Sequence, residues 1–346
     1  MLTLELRPLL EKAEALLEKY QTFSISTLIP KAWMASEEQE FDRKLEGAES
    51  IKNSLNAKIA KELAAKTKKK YLPDGEVRIV FDFTKESAEP EVRVELQPVF
   101  IFGRYKKLIA GLSQSRWLCS ECGGKGCAQC DDKGKHYESI EERIGESMKR
   151  QFDASDYSLH ASGREDVDAR NTAGRPFVME LKEPKKRKAQ LGRMGKEIGA
   201  GKEVEVVDLA LVPRSFVEVV TESHFDKEYE ADVEFENDIG DVELEKIKSL
   251  SRKMLEQQTP NRVMHRRADL VRKRKLIQLT TVKTQDPRHM TFLILAEAGT
   301  YIKELISGDE GRTVPSFAGV LGFGAKCMNL TVTRIDDEFL DTCLKG

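Results

Sequence analysis

The sequence predicts an α+β protein built in two parts, and three observations support this prediction. Helix-like and then strand-like segments come first, a close group of four cysteines follows, and the remainder of the chain is rich in short strand-like runs. Helices followed by strands and closed by such a group indicate one self-contained α+β module. With 346 residues the chain is long enough for two domains and a substantial core.

The first part contains two predicted helices and two predicted strands. Leu4–Tyr20 carries apolar residues at helical spacing, and Gly47–Lys68 repeats that pattern. Val77–Phe83 and Val92–Phe102 follow as strand-like runs, the second with a broken alternation of apolar residues. We therefore predict an α+β fold for this module.

The second part is predicted to be richer in strands. It begins with a helix at Ser139–Phe152, and Val242–Gln257 and Tyr301–Ile306 are further predicted helices. The strand-like runs are Ser158–Ala161, Phe177–Leu181, Val204–Val212, Phe216–Thr221, Glu230–Phe235, Lys275–Val282, Phe292–Ala296 and Met328–Arg334. Long polar loops separate them, and such loops on a sheet scaffold usually carry function.

We place the domain boundaries on either side of the cysteine group. Residues 1–116 form the predicted accessory domain, residues 117–137 the cysteine turn, and residues 138–346 the second domain. No apolar run approaches the roughly 20 residues that a membrane span needs. The N-terminus lacks the features of a secretion signal, so we expect a cytoplasmic protein without a membrane partner.

The charges are unevenly distributed along the chain. The formal net charge is only −2, which argues against a uniformly basic nucleic-acid coat. However, Lys182–Lys196 carries seven basic residues against one acid, and Arg262–Lys275 carries seven against one. A single basic run is more often a solvated face. Two such runs favour a polyanionic partner, because neutralisation of phosphates supplies much of nucleic-acid affinity.

Four of the six cysteines, Cys119, Cys122, Cys127 and Cys130, form two C-x-x-C pairs with four residues between them. Each short turn aims two thiolates at one ion, so the spacing predicts a tetrahedral Zn²⁺ site. Redox chemistry is the alternative, but two pairs this close in a cytosolic chain favour a metal. Four thiolates fill the coordination sphere, so we expect a structural rather than a catalytic zinc ion.

The densest polar segment is the loop at Ser162–Phe177. It contains the carboxylates Glu165, Asp166 and Asp168 among the arginines Arg164, Arg170 and Arg175. Three interpretations are open: a network of surface ion pairs, a Mg²⁺ site, or a catalytic aspartate held by neighbouring arginines. Arginines compete for the carboxylates and repel a cation, whereas they suit an anionic carboxylate beside a phosphodiester backbone. The third interpretation is therefore favoured.

Several motifs resemble known sequences. Gly163-Arg-Glu-Asp166 looks like the G-R-x-D element of pseudouridine synthases, and the longer string through Gly174-Arg-Pro-Phe177 resembles the Pus-ten family of archaea and eukaryotes. The cysteine group also resembles that family. So do five other segments: Phe102–Lys107 with Gln114–Trp117, Thr259–Asp269, and Ala298–Leu305 with Gly311–Thr313. Agreement of several motifs in order is far more specific than the short G-R-x-D element alone.

The resemblance implies a fold and an activity. The fold would be an N-terminal RNA-binding module of THUMP type, a zinc turn, and a C-terminal pseudouridine synthase domain with a central mixed or antiparallel sheet. The activity would be isomerisation of uridine to pseudouridine in the T arm of tRNA, at position fifty-four, fifty-five or both. It needs no redox, nucleotide or metal cofactor for catalysis, and no obligatory protein partner is evident.

The resemblance also implies residue roles. Asp166 would act on the ribose so that the glycosidic bond breaks, and Arg164 would pair with it or fill the space left by the flipped base. Tyr229 would lie under the uracil, Lys303 would be the basic partner of Asp166, and Leu305 an apolar wall. The predicted substrate contacts are Arg170, Arg175, Arg262, Arg266, Arg267 and Arg272.

The sequence departs from the family's pattern at two places, and two rival functions are open. Members of the family often carry another C-x-x-C near the N-terminus, which residues 1–118 lack, and the spacer Asn171–Ala173 is shorter than usual. The rivals are a non-catalytic zinc-containing RNA-binding protein and a Mg²⁺-dependent nuclease that uses Glu165, Asp166 and Asp168. The nuclease would cleave RNA and be stopped by EDTA, whereas an isomerase leaves the length of the RNA unchanged.

Overall fold

The computed structural model of the chain describes residues 6–33, 50–84 and 90–345, apart from the side chains of residues 265, 266 and 285. The chain divides into two compact units. The first comprises Met1–Val99, Lys149–Tyr157 and Leu181–Ala189; the second comprises Phe100–Met148, Ser158–Glu180 and Gln190–Gly346. In the described part of the chain no helix has the length and apolar character needed to cross a membrane.

The first unit is a four-stranded sheet with two helices packed on it. The helices are α1 (Arg7–Leu17) and α2 (Ile51–Thr67), and the strands are β1 (Thr22–Leu28), β2 (Lys70–Tyr71), β3 (Val77–Asp82) and β4 (Glu91–Leu96). The sheet order is β2-β1-β3-β4, with β1 parallel to β2 and β3, and β4 antiparallel to β3. The apolar stripe of α1 buries Leu9, Leu10, Ala13 and Leu17 in this core, as its helical spacing predicts.

The second unit is organised around a ten-stranded mixed sheet. Its strands are β5 (Val99–Lys107), β8 (Asp156–Ala161), β9 (Arg170–Lys182), β10 (Val204–Val212), β11 (Lys227–Phe235), β12 (Met254–Gln258), β13 (Val271–Asp286), β14 (His289–Ala296), β15 (Thr313–Val314) and β16 (Ala325–Ile335). The order is β10-β5-β9-β16-β11-β14-β13-β12-β15, with β8 added beside β9. β16 pairs antiparallel with β11 and parallel with β9, so the predicted central mixed sheet is confirmed.

Within the described residues, seven short helices accompany this sheet, and the last five of them contribute residues to two apolar cores. They are α3 (Ile140–Phe152), α4 (Leu191–Gly199), α5 (Phe216–Glu222), α6 (Asp241–Lys248), α7 (Ile302–Ser307), α8 (Phe317–Leu321) and α9 (Glu338–Lys345), with 3₁₀ turns at Ala128–Cys130, Asn261–Arg266 and Asp309–Gly311. A two-stranded hairpin of β6 (Trp117–Leu118) and β7 (Lys135–Tyr137) carries the four cysteines between its strands.

Three predicted elements are wrong. The single predicted strand Val92–Phe102 is instead two strands, β4 and β5, which join different sheets. Phe216–Thr221 forms a helix rather than a strand, because Phe216 and Val220, four residues apart, are the positions that enter the core. The predicted helix Val242–Gln257 ends at Lys248, and β12 follows. Leu255 and Gln257 are buried while Glu256 between them is exposed, which is the alternation of a strand.

The boundary between the compact units falls at Val99, whereas the predicted boundary lies at residue 116. The reason is that β5 pairs with β10 inside the larger sheet, so the chain joins the second unit before the cysteine hairpin. The hairpin itself belongs to the second unit. The assignment of the first part as a THUMP-like RNA-binding domain stays a prediction.

The N-terminus of α3 is fixed by a capping box. The Ser139 hydroxyl accepts from the Glu142 amide at 3.1 Å, and Glu142 Oε2 accepts from the Ser139 amide at 3.1 Å. This reciprocal pair satisfies two donors at the helix start.

We expect Ser139→Ala to lower the free energy of unfolding by about 1 kcal/mol, because it removes this cap. Urea unfolding followed by circular dichroism measures the change. Ser215→Ala is the matched control, since Ser215 precedes α5 but makes no side-chain capping bond; its effect should stay within about 0.5 kcal/mol. Equal losses in the two variants would contradict the capping role of Ser139.

Candidate active site

A cavity of about 230 Å³ opens beside the loop that joins β8 to β9 in the second unit. The loop supplies one wall, and the others come from the start of β11, from β16, from the 3₁₀ turn at Asn261–Arg266 and from the approach to α7. The lining residues are Gly163, Arg164, Glu165, Asp166, Ala169, Arg175, Lys227, Tyr229, Arg262, Val263, Arg267, Gly299, Thr300, Tyr301, Ile302, Lys303, Leu330 and Val332.

Asp166 lies in this cavity between two cations. Its Oδ1 accepts a hydrogen bond from Arg262 Nη1 at 2.7 Å, and its Oδ2 is 3.5 Å from Lys303 Nζ. The side chain of Asp166 is 28% exposed, so the carboxylate is held in place and remains accessible. The predicted pairing of Lys303 with Asp166 is present in this geometry, and Arg262 adds a second, closer partner.

Arg262 is itself held by a buried acid. Glu304 Oε1 accepts from Arg262 Nε at 2.7 Å, and Glu304 Oε2 accepts from Nη2 at 3.4 Å. The carboxylates of Glu304 and Asp166 raise the pKa of Arg262 above its usual value, although burial of the guanidinium opposes them. Arg262 therefore stays charged, and its planar fork is fixed relative to Asp166.

The other two carboxylates of the loop have different partners. Glu165 Oε2 accepts from Arg175 Nε at 2.6 Å in a fully buried ion pair. Asp168 accepts from Lys303 Nζ at 2.6 and 2.7 Å. Burial tends to raise the pKa of Asp168, but the hydrogen bond and charge of Lys303 outweigh it, and the pKa is lowered.

This separation bears on metal binding. The closest cation differs for each of the three loop carboxylates, although Lys303, the closest partner of Asp168, is also 3.5 Å from Asp166. Among the described residues, the group of three or more His, Cys, Asp or Glu side chains close enough to share an ion is the set of four cysteines. The Mg²⁺ site that a nuclease would need is not formed by the loop carboxylates.

Part of the cavity lining is aromatic and apolar. Tyr229 lies near the start of β11, and burial raises the pKa of its phenol to about 12. The hydroxyl group is therefore protonated at neutral pH. Leu330 and Val332, both buried, extend this wall from β16. A planar base can lie against such a surface.

Lys227 is a buried cation on the same strand. Its Nζ donates to the carbonyl of Phe225 at 2.7 Å. Burial and the nearby charge of Arg175 lower the pKa of Lys227 to about 8. Lys227 is not among the predicted site residues, although its position two residues before Tyr229 places it on the same face of a strand.

Three predicted site residues differ in their relation to the cavity. Leu305 is fully buried in the apolar core and is not among the lining residues, whereas Leu330 is. Arg175 lines the cavity but is 1% exposed and paired with Glu165, which does not favour a phosphate contact. Arg164 lines the cavity wall with an exposed side chain.

The remaining predicted contacts differ in position. Arg267 lines the cavity and donates to the Tyr301 hydroxyl at 3.0 Å. Arg272 is outside the lining and donates to Thr259 Oγ1 at 3.0 Å. Arg170 is exposed at the first residue of β9. The side chain of Arg266 lies outside the described residues.

The four cysteines form a compact thiol cluster. The Sγ atoms of Cys119 and Cys127 are 3.8 Å apart, those of Cys122 and Cys130 are 3.9 Å apart, and those of Cys127 and Cys130 are 3.7 Å apart. Zinc–sulfur bonds of about 2.3 Å at tetrahedral angles place sulfur atoms about 3.8 Å apart. The amides of Gly126 and Gly134 donate to the sulfurs of Cys122 and Cys130, which suits thiolate ligands. The cluster can therefore hold a metal ion.

Comparison with known proteins places the chain in a family. A family model described as "Pus10, C-terminal" matches residues 100–336. A protein named tRNA pseudouridine synthase Pus10 from Korarchaeum cryptofilum is 38% identical over 97% of this chain and 91% of its own length. Proteins of the same name from Methanocaldococcus jannaschii and Archaeoglobus fulgidus are each 39% identical, over 97% and 94% of this chain and 74% and 91% of their own lengths.

Similarity to solved structures is weaker. A crystal structure of a Cbf5-Nop10-Gar1 complex is 18% identical, with a TM-score of 0.34 over 65% of this chain and 48% of that one, which is too low to support an argument. The sequence matches are sufficient by themselves, and they confirm the family that the motifs predict. The chain is a member of the Pus10 family of tRNA pseudouridine synthases, and it is an isomerase.

Proposed function

We propose that this chain converts uridine to pseudouridine in the T arm of tRNA, at position fifty-four, fifty-five or both, with Asp166 as the catalytic carboxylate. The observation that supports this proposal most directly is the placement of Asp166. It is the accessible loop carboxylate that lines the cavity between two cations, and aromatic and apolar side chains line the same cavity. Glu165 is buried and Asp168 projects to Lys303 with a more exposed side chain.

The reaction is an isomerisation that exchanges one bond for another. The bond between C1′ of the ribose and N1 of uracil breaks, and a bond between C1′ and C5 forms. The hydrogen on C5 leaves as a proton, and N1 ends with a proton. Asp166 acts on the ribose, either by attack at C1′ or by removal of a proton from C2′. No electron acceptor, nucleotide or catalytic metal enters this balance.

The neighbouring residues have separate tasks in this proposal. Arg262 and Lys303 hold the Asp166 carboxylate, and Arg262 is held in turn by Glu304. The protonated phenol of Tyr229 lies against the detached uracil, which must turn while it stays bound. Leu330 takes the apolar role that the sequence analysis assigned to Leu305.

The target uridine must leave its base stack before C1′ can reach Asp166. Extrusion of a base costs a few kcal/mol, which contacts with the protein must offset. The exposed Arg164 and Arg267 at the cavity are placed for contacts with the phosphates beside the flipped nucleotide. We propose tRNA as the partner, held also by the first unit, and catalysis without an obligatory protein partner, in the cytoplasm.

We also propose that the ion held by the four cysteines is zinc. The distances between the sulfur atoms fit a tetrahedral zinc site, and four thiolates leave no open position for a substrate. Its role is to stabilise the hairpin of β6 and β7.

The first test is pseudouridine mapping on unmodified tRNA transcript, by carbodiimide-dependent stops in primer extension. Wild-type protein should give new stops in the T arm, and Asp166→Asn should give none, because the amide cannot replace the carboxylate. No stops with either protein, despite tRNA binding, would favour an RNA-binding protein. Stops that survive Asp166→Asn would move the role to Asp168. Shortened RNA that EDTA prevents would favour the nuclease.

A second test separates catalysis from binding. Arg262→Ala should lower the single-turnover rate about 100-fold, as loss of a positioned charged donor does. Arg272→Ala is the control outside the cavity, and it should leave that rate unchanged. At most it should weaken tRNA binding, and the slope of the logarithm of the binding constant against the logarithm of salt concentration should then be smaller by about 1. A pure binding defect in Arg262→Ala would show that Arg262 contacts phosphate instead.

Metal analysis tests the cysteine site. The purified protein should contain about one zinc ion per chain. Cys122→Ser should lose it and melt at a lower temperature, because metal binding contributes to folding. Cys327→Ser, at a cysteine outside the cluster, should keep the zinc ion. Retention of zinc by Cys122→Ser would contradict the site.

A further inference from the structure

A motif made of Phe102–Lys107 and Gln114–Trp117 lies outside the cavity lining. Both segments are far in sequence from the loop of Asp166. In the structure, three side chains of this motif, those of Tyr105, Lys107 and Gln114, are directed at that loop.

Lys107 makes the contact nearest to Asp166. Its Nζ donates to the backbone carbonyl of Asp166 at 3.0 Å and to that of Val167 at 2.7 Å. The Gly111 amide donates to the Val167 carbonyl as well, at 2.8 Å. Lys107 is 1% exposed, so no water competes strongly for these carbonyls. The ammonium group of Lys107 therefore contacts the loop backbone at Asp166 itself and at the residue that follows it.

A second anchor holds the start of the loop. Gln114 Nε2 donates to the Gly163 carbonyl at 2.8 Å and to the Tyr105 hydroxyl at 3.0 Å. That hydroxyl donates to Glu165, whose carboxylate also accepts from Arg175. The loop is therefore bound on both sides of Asp166, at Gly163 and Glu165 before it and at Val167 after it.

We propose that Lys107 is a positioning residue for Asp166, fixing the backbone so that the carboxylate meets the ribose in a productive geometry. The inference rests on the proposed function of Asp166. Lys107 does not touch the substrate, because it is buried and does not line the cavity. It acts through the loop backbone, while Arg262 and Lys303 orient the carboxylate itself.

The charge of Lys107 strengthens this contact. A charged donor forms hydrogen bonds about twice as strong as a neutral one. The groups that face Lys107 are the loop carboxylates Glu165, Asp168 and Asp166, and Lys303 of α7. Burial lowers the pKa of Lys107 to about 8 against the effect of these carboxylates. Lys107 is consequently charged below about pH 8 and neutral above it, so the positioning weakens as the pH rises through that value.

The test uses the full chain and measures single-turnover pseudouridine formation and tRNA affinity separately. Lys107→Met removes the donor and keeps the shape, so the rate should fall about 100-fold, as a small misplacement of a reacting group does. The Kd for tRNA should stay within about twofold, because no substrate contact is lost. Lys107→Gln keeps a neutral N–H donor and should recover part of the rate.

Two controls make the outcome specific. Lys106→Met changes the adjacent residue, which pairs with Glu205 on the surface, and it should leave both quantities unchanged. The pH profile adds a readout that a general loss of folding would not move. Wild type should lose rate as the pH rises through about 8, and this loss should be absent in Lys107→Gln but present in Lys227→Gln. Thermal melting confirms that each variant is folded.

The possible outcomes separate the two levels of the proposal. A folded Lys107→Met protein with an unchanged rate, or with weakened tRNA binding only, would overturn the positioning role. A loss at high pH that disappears in Lys227→Gln rather than in Lys107→Gln would assign the titration to Lys227. Failure of Asp166→Asn to reduce activity would instead overturn the proposed catalytic role of Asp166, and the Lys107 inference with it.

Discussion

The buried ion pair between Glu165 and Arg175 is the interaction on which the rest of the site depends. Neither side chain has more than a trace of exposure, and 2.6 Å separates their closest atoms. Loss of one partner from such a pair costs roughly 3–5 kcal/mol, because the other charge is left buried alone. Arg175 Nη1 also donates to the carbonyl of Ser162, where the loop begins. The pair thus ties the loop to β9, and it leaves Asp166, the next residue, to face the cavity.

Ion pairs also fix the positions of the other carboxylates of the loop. The loop carries three carboxylates within four residues, and each meets a cation from a different part of the fold: β9, the 3₁₀ turn before β13, and α7. These elements are distant in sequence and meet through the tertiary structure, in which the large sheet sets β9 beside β16 and β16 beside β11. Preorganised charges of this kind do not have to rearrange during the reaction, and this is the usual source of electrostatic catalysis.

Local patterns allowed part of this structure to be predicted. The spacing of leucines in α1, the S-x-x-E start of α3, the paired cysteines and the G-R-x-D loop are short-range features, so the sequence displays them directly. The role predicted for Leu305 shows the limit of prediction from local patterns. Leu305 lies two residues after Lys303 on a helix, and at that spacing the two side chains point to different faces of the helix. The cavity wall comes instead from Leu330, on a strand whose neighbours are set by tertiary structure. Arg262 is predicted to contact phosphate, whereas in the structure it pairs with Asp166 and Glu304, two residues that are distant from it in sequence.

The cysteine hairpin has a further consequence, in terms of chain entropy. Its two ends are joined by backbone hydrogen bonds from Ser113 to Glu138 and from Ile140 to Ser113, next to Gln114, which holds the Gly163 carbonyl. A metal ion bound by the four cysteines cross-links the segment between these ends. The cross-link reduces the conformational entropy that the segment loses when it becomes ordered. With zinc as the bound ion, zinc binding favours by mass action the ordered form of the segment that holds the loop of Asp166. The supply of zinc in the cell would then set the fraction of chains with a competent site.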